Sequence, residues 1–147
     1  MKLSTLSNLY QTDEALWLEE MAKAINEGCR LDKWNLLDYL LESAARNHRE
    51  VGHRLTVLLL HLLKYTYQPR RRSQSWRTTI SLQRSELQQI FATSASLKRH
   101  GAEVLTTSYE RARKVASSAT RIPINKFPIV LQQTLDEIVE GEDYTLI

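Results

Sequence analysis

The sequence predicts an all-α fold: a single-domain bundle of five to six helices around one central apolar helix at about residues 49–67. Three observations carry that expectation. Val51, Leu55, Leu58, Leu62 and Tyr65 recur at helical spacing, and Val57, Leu59, Leu60 and Leu63 cover the remaining sides. A helix that is apolar all round is a buried one. Only four glycines and three prolines occur in 147 residues, which favours helices with short connections. The segments on either side also carry apolar residues at i, i+4 and i+7.

Taken in order, the first predicted helix follows Asp13, a good N-cap, with Glu14 in its first turn. Trp17, Met21, Ala24 and Ile25 form its inward face, and Gly28 is placed to end it. The second starts at Asp32 with an inward stripe of Trp34, Leu37, Leu40 and Leu41, widened by Leu36. Asp38 and Glu42 share another face, a spacing more typical of solvated carboxylates than of a metal or proton-sharing pair. Polar residues from Arg46 to Arg54 predict a break near Ala44 to His48 before the central helix.

Pro69 ends the central helix, because it lacks an N–H and disfavours helix at Gln68. Arg70, Arg71 and Arg72 follow, and Ser73 or Ser75 caps the next helix. Its stripe of Trp76, Ile80, Gln83, Leu87 and Ile90 places an amide among apolar residues, where both ends of Gln83 need partners. Ser94 or Ser96 caps a fifth helix, with Leu97, Val104, Leu105, Tyr109, Ala112, Val115 and Ala116 inward. An extended loop at 122–130, bracketed by Pro123 and Pro128, leads to a short acidic helix with Leu131, Leu135 and Ile138 inward, then a frayed tail.

Composition bounds the function. Apolar residues at 42% and charged residues at 25% are those of a soluble globular protein. Cys29 is the only cysteine, so an internal disulfide and a cysteine-based metal site are excluded, and a reducing cytoplasm is the expected setting. No apolar run reaches membrane-spanning length, and the first residues lack a signal-like apolar core. No membrane partner is therefore expected.

The net charge of +3 hides a split. Residues 1–63 carry 7 basic and 9 acidic side chains, residues 64–121 carry 12 and 3, and residues 122–147 carry 1 and 5. A basic middle could face nucleic acid, phosphate or an acidic partner, or pair with the acidic ends of its own chain. The second of these is favoured, with the acidic C-terminal helix folding back over the basic layer.

The sequence lacks a phosphate loop, a dinucleotide fingerprint, a His-Glu-x-x-His helix and a Gly-x-Ser-x-Gly elbow. His48, His53, His61 and His100 show no zinc spacing, so no metal or cofactor is expected. His61 and Lys64 are the candidate catalytic residues, although a histidine on an apolar helix is more often a core residue with satisfied nitrogens. Arg72, Trp76, Arg77, Gln83 and Arg84 are the candidate binding residues.

From Tyr10 to about Glu137 the chain resembles the bacterial family catalogued as domain of unknown function 29. Tyr10, Asp13 and Trp17 carry the likeness first, then Asp32, Asn35 and Leu36. The most specific block runs from Leu58 to Leu87, LLLHLLKYTYQPRRRSQSWRTTISLQRSEL, and Ser96-Leu97, Tyr109, Ala112-Arg113 and Phe127-Pro128 follow. The resemblance implies an all-helical fold and no established activity. Where the family tends to have an acidic Glu-Glu-Ile-Glu run and a Leu-Gly, this chain has Asp38-Tyr39-Leu40-Leu41 and Ser43-Ala44. Any carboxylate-based site of relatives is weakened here.

The leading expectation is a non-enzymatic protein-interaction module that associates with itself or serves another protein. Phosphate or nucleic-acid binding through residues 64–121 ranks second. An enzyme using His61 and Lys64 with a nearby carboxylate ranks third.

Overall fold

A computed structural model describes residues 1–146. It contains six α-helices and, among the described residues, no strand: α1 (Leu3–Thr12), α2 (Glu14–Glu27), α3 (Lys33–Tyr67), α4 (Gln74–Thr93), α5 (Ala95–Thr120) and α6 (Leu135–Glu140). Short 3₁₀ turns occupy Pro69–Arg71 and Ile124–Lys126. The chain divides into two compact units, residues 1–46 and the residues from 47 onward.

The first unit is built on α1, α2 and the beginning of α3. Asp13 caps α2 by accepting from the Leu16 amide, and Gly28 ends it in the left-handed conformation at φ 67°. That backbone conformation costs glycine little and other residues more. Trp17 is fully buried with Leu6 and Met21, and Leu9, Tyr10, Leu18, Leu31, Leu36 and Tyr39 pack around them. Its indole Nε1 donates to Asp32 Oδ2 at 3.0 Å. Asn35 Nδ2 donates to the same oxygen at 2.8 Å and to Ser7 Oγ at 3.1 Å. A carboxylate only 7% exposed is tolerable because it has these donors.

Those bonds correct the expected inward face. Asp32, Asn35, Leu36 and Tyr39 turn toward Trp17, so Trp34, Leu37, Leu40 and Leu41 point to solvent. Ile25 is exposed as well, although Met21 and Ala24 beside it are buried. The expected break near Ala44 to His48 is also absent. One helix of 35 residues runs through it, so the predicted helix at 49–67 is the second half of α3. Residues 43–50 are polar but contain neither proline nor glycine. A solvated polar segment of that kind can stay helical because its backbone bonds lie within the helix.

In the second unit, Val51, Leu55, Leu58, Leu59, Leu62 and Leu63 of α3 are completely buried, as the all-round apolar pattern requires. Ile80 and Leu87 from α4 and Tyr109, Ala112 and Ala116 from α5 complete the layer. Val115, expected inward, is exposed. Ser73 and Ser94 cap α4 and α5 by accepting from the amides of Trp76 and Leu97. Gly101 of α5 lies close against Phe91 of α4: an added Cβ would lie 2.8 Å from the Phe91 ring.

The acidic segment does return onto the basic middle. Leu135, Ile138 and Val139 of α6 are buried in the same core, and Thr134 and Glu137 form a capping box at its start. One exposed ion pair joins Lys98 to Asp136 at 3.2 Å. Apolar burial outweighs such a pair, which contributes about 0–1 kcal/mol. The tail expected to fray is held instead: the Leu146 amide donates to Thr66 Oγ1 at 3.0 Å, and Gln133 Nε2 donates to the Leu146 carbonyl at 2.6 Å.

Candidate functional site

Two surfaces carry chemistry that the fold itself does not use. The first is the outward face of α3 in the first unit. Trp34 is 72% exposed, and Leu37, Leu40 and Leu41 are 45%, 56% and 61% exposed. Trp34, Leu37, Leu41 and Ala44 recur at i, i+3, i+7 and i+10, which aligns them along one side of the helix. Lys33 and Asp38 flank that line. Both are exposed, neither is ion-paired among the described residues, and the Lys33 ammonium lies 5.5 Å from the Trp34 ring centre.

The second surface lies where α3 ends, the 3₁₀ turn carries Pro69, Arg70 and Arg71, and α4 begins. Tyr65 organises it. Arg72 donates from Nε to the Tyr65 carbonyl at 2.8 Å and lies 4.6 Å over the Tyr65 ring. Arg77 donates from Nη1 to the Tyr65 hydroxyl at 3.3 Å. Lys64 sits 5.2 Å from the ring centre of Trp76. Lys64, Arg72, Trp76 and Arg77 are thus brought together, as their proximity in sequence suggests.

The other predicted site residues lie elsewhere. Gln83 accepts from Arg54 Nη1 at 3.2 Å, and Arg54 also pairs with Glu50 at 2.9 Å. The amide oxygen of the polar residue in the apolar stripe of α4 thus has its partner in an arginine of α3. Arg84, 7% exposed, donates to the carbonyls of Ile138 and Asp143 and so holds α6 and the residues after it. Burial pulls its guanidinium below the usual arginine range, and Asp143 partly offsets that.

His61 is half-buried, with Nδ1 2.9 Å from the Val57 carbonyl one turn earlier in the same helix. Burial holds its pKa below the usual value. The Val57 bond opposes that shift and nearby Lys64 reinforces it. One contact escaped sequence reasoning: the rings of His48 and His100 stack 4.3 Å apart at 19°, although they lie on different helices. Among the described residues no group of three or more His, Cys, Asp or Glu could hold a metal, and no helix is long and apolar enough to cross a membrane.

Residues 9–144 match the family model described as Domain of unknown function DUF29. No curated protein and no solved structure matches the chain.

Proposed function

Since this chain belongs to the family described as Domain of unknown function DUF29, a description that names no activity, we propose from its geometry that it is a non-enzymatic interaction module that pairs with a second copy of itself. The exposed stripe of Trp34, Leu37, Leu41 and Ala44 on α3 carries the proposal. These positions match the a and d places of a two-stranded helical seam. In a parallel pairing, Lys33 of one copy falls five residues before Asp38 of the other, the standard spacing for a flanking ion pair. Each currently lacks a carboxylate or cation partner, so the surface complements itself in charge as well as in shape.

The size of the face sets the strength. Trp34, Leu37 and Leu41 expose on the order of 400 Å² per copy, below the roughly 800 Å² per partner of a standard stable interface. A face of that size belongs with weak, reversible associations. We retain one all-helical domain as part of the proposal, because α3 runs uninterrupted through both units, and a cytoplasmic setting consistent with the lone, exposed Cys29. An enzyme ranks last, because His61 and Lys64 already have internal partners in Val57 and Trp76.

Sedimentation equilibrium from about 1 to 200 μM tests this. The wild type should move from monomer to dimer across that range, while Leu41→Glu should remain monomeric with an unchanged helical spectrum. A wild type that stays monomeric throughout, or a Leu41→Glu variant that still dimerises, would overturn the proposal.

A further inference from the structure

The basic turn is only half of a larger basic surface, and the fold assembles the other half from a distant stretch. Residues 64–77 contain Lys64, Arg70, Arg71, Arg72 and Arg77 and no Asp or Glu. Residues 111–126 contain another five cations and again no carboxylate. Tyr67 packs edge-on against Phe127 at 5.0 Å, and Ile122 lines an open groove together with Tyr67, Gln68, Pro69, Arg70 and Arg71. Arg113 donates to the carbonyls of Ile124 and Phe127, which fixes the loop that carries Lys126. Arg121, left-handed at φ 62°, ends α5 next to Ile122. The two carboxylate-free stretches therefore meet at one end of the second unit.

None of the five cations at 64–77, nor Arg121 or Lys126, is ion-paired among the described residues. The acidic segment that returns to the core spends its contacts elsewhere, on Lys98, Arg84 and Gln88. At this end Tyr144 packs 5.4 Å from Tyr65 and the Leu146 amide donates to Thr66, and neither contact is an ion pair. Like charges gathered without counter-charges raise the energy of the free protein, and a polyanion relieves it.

We propose that this end binds the phosphate backbone of a nucleic acid without reading its sequence. Arginine predominates among these cations, and its planar fork suits phosphate oxygens. The aromatic rings that could stack on bases are occupied: Tyr65 by Arg72 and Trp76 by Lys64. That arrangement favours backbone over base recognition. Arg70 and Arg71 line the groove, and Arg121 and Lys126 adjoin it in sequence, next to Ile122 and to the Phe127 that packs on Tyr67, so that the cationic surface extends over several phosphates.

Fluorescence anisotropy of a labelled 30-base-pair duplex against the full chain, titrated at several salt concentrations, tests the assignment. Binding should weaken with salt along a log–log slope of about −3 to −4, the release expected for roughly four phosphates. A scrambled duplex should bind equally. Arg71→Glu and Lys126→Glu, one from each carboxylate-free stretch and both exposed, should each weaken binding at least fivefold at low salt. Arg99→Glu, at the opposite end of α5 from Arg121, makes the same charge change and should alter it less than twofold. No binding at about 50 mM salt would overturn the assignment, as would equal losses in all three variants. Displacement of the duplex by polyglutamate at equal charge would assign the surface to an acidic protein instead.

Discussion

Arg84 and Ile138 lie 54 residues apart in sequence, and the guanidinium Nε of the first donates to the carbonyl of the second at 2.8 Å. Nη1 of the same arginine reaches the Asp143 carbonyl at 2.6 Å. The last carbonyls of a helix have no partner within it, so one buried side chain serves α6 where its own backbone cannot. Arg84→Met keeps most of the apolar stem and removes every donor. It should lower stability by about 2–3 kcal/mol, read as a fall in the urea midpoint. A midpoint equal to wild type would show that water replaces the arginine without loss.

A second pairing fixes the first unit. Trp17 Nε1 is buried and its partner is Asp32 Oδ2. Asp32→Ala leaves that donor without an acceptor and should cost about 1–3 kcal/mol. Asp32→Asn keeps a carbonyl oxygen in place and should cost less. Equal losses in the two variants would mean that the bond to Trp17 is not what the carboxylate contributes.

Trp76 begins the apolar stripe of α4, yet it is only half-buried and shares its ring with the Lys64 ammonium. Full burial of a tryptophan would make truncation cost about 3–5 kcal/mol. The observed position lowers the expected loss for Trp76→Ala to roughly 1.5–3 kcal/mol, part of it from the cation–ring contact. Lys64→Met in the Trp76→Ala background should then add less than in the wild type, which a double-mutant cycle of urea midpoints measures.

His61 makes stability depend on pH. Its folded pKa lies below the ordinary 6.5, chiefly through burial. The unfolded chain therefore binds more protons in the window just below that value, so stability rises with pH there. The contribution is complete above about pH 6.5 and is lost as the pH falls from there toward the folded pKa. His61→Gln should flatten this dependence. The difference between wild-type and variant urea midpoints, measured from pH 8 to pH 5, should shrink in the acid direction; a constant difference would assign the titration to other groups.

Local chemistry was legible where one residue decides one conformation. Asp13 caps α2, Gly28 turns left-handed, and Ser73 and Ser94 open α4 and α5, all at positions their residue types announce. The all-round apolar pattern from Val51 to Leu63 likewise has a single solution, burial. Facing was harder. Trp34, Leu37, Leu40 and Leu41 look like a core stripe, but Asp32 and Asn35 are drawn inward by one indole N–H and a serine hydroxyl, and that rotates the stripe outward. The polar run after Ala44 reads as a break because periodicity vanishes there, while helix propensity persists. The basic surface was half visible: the arginines at 70–72 are adjacent in sequence, but their junction with Arg121 and Lys126 exists only through Tyr67, Phe127 and Ile122.

The burial of Leu135, Ile138 and Val139 in the same core as the leucines of α3 also bears on the order of events during synthesis. Leucines 55 to 63 leave the ribosome some seventy residues before the last of the apolar side chains that complete their core. Contacts of that sequence separation slow folding, and until they form the nascent chain exposes its most apolar helix. A ribosome paused while the residues around 130 are being added would hold the leucine face of α3 open to chaperones. Release of residues 135–146 supplies the last apolar side chains of that core.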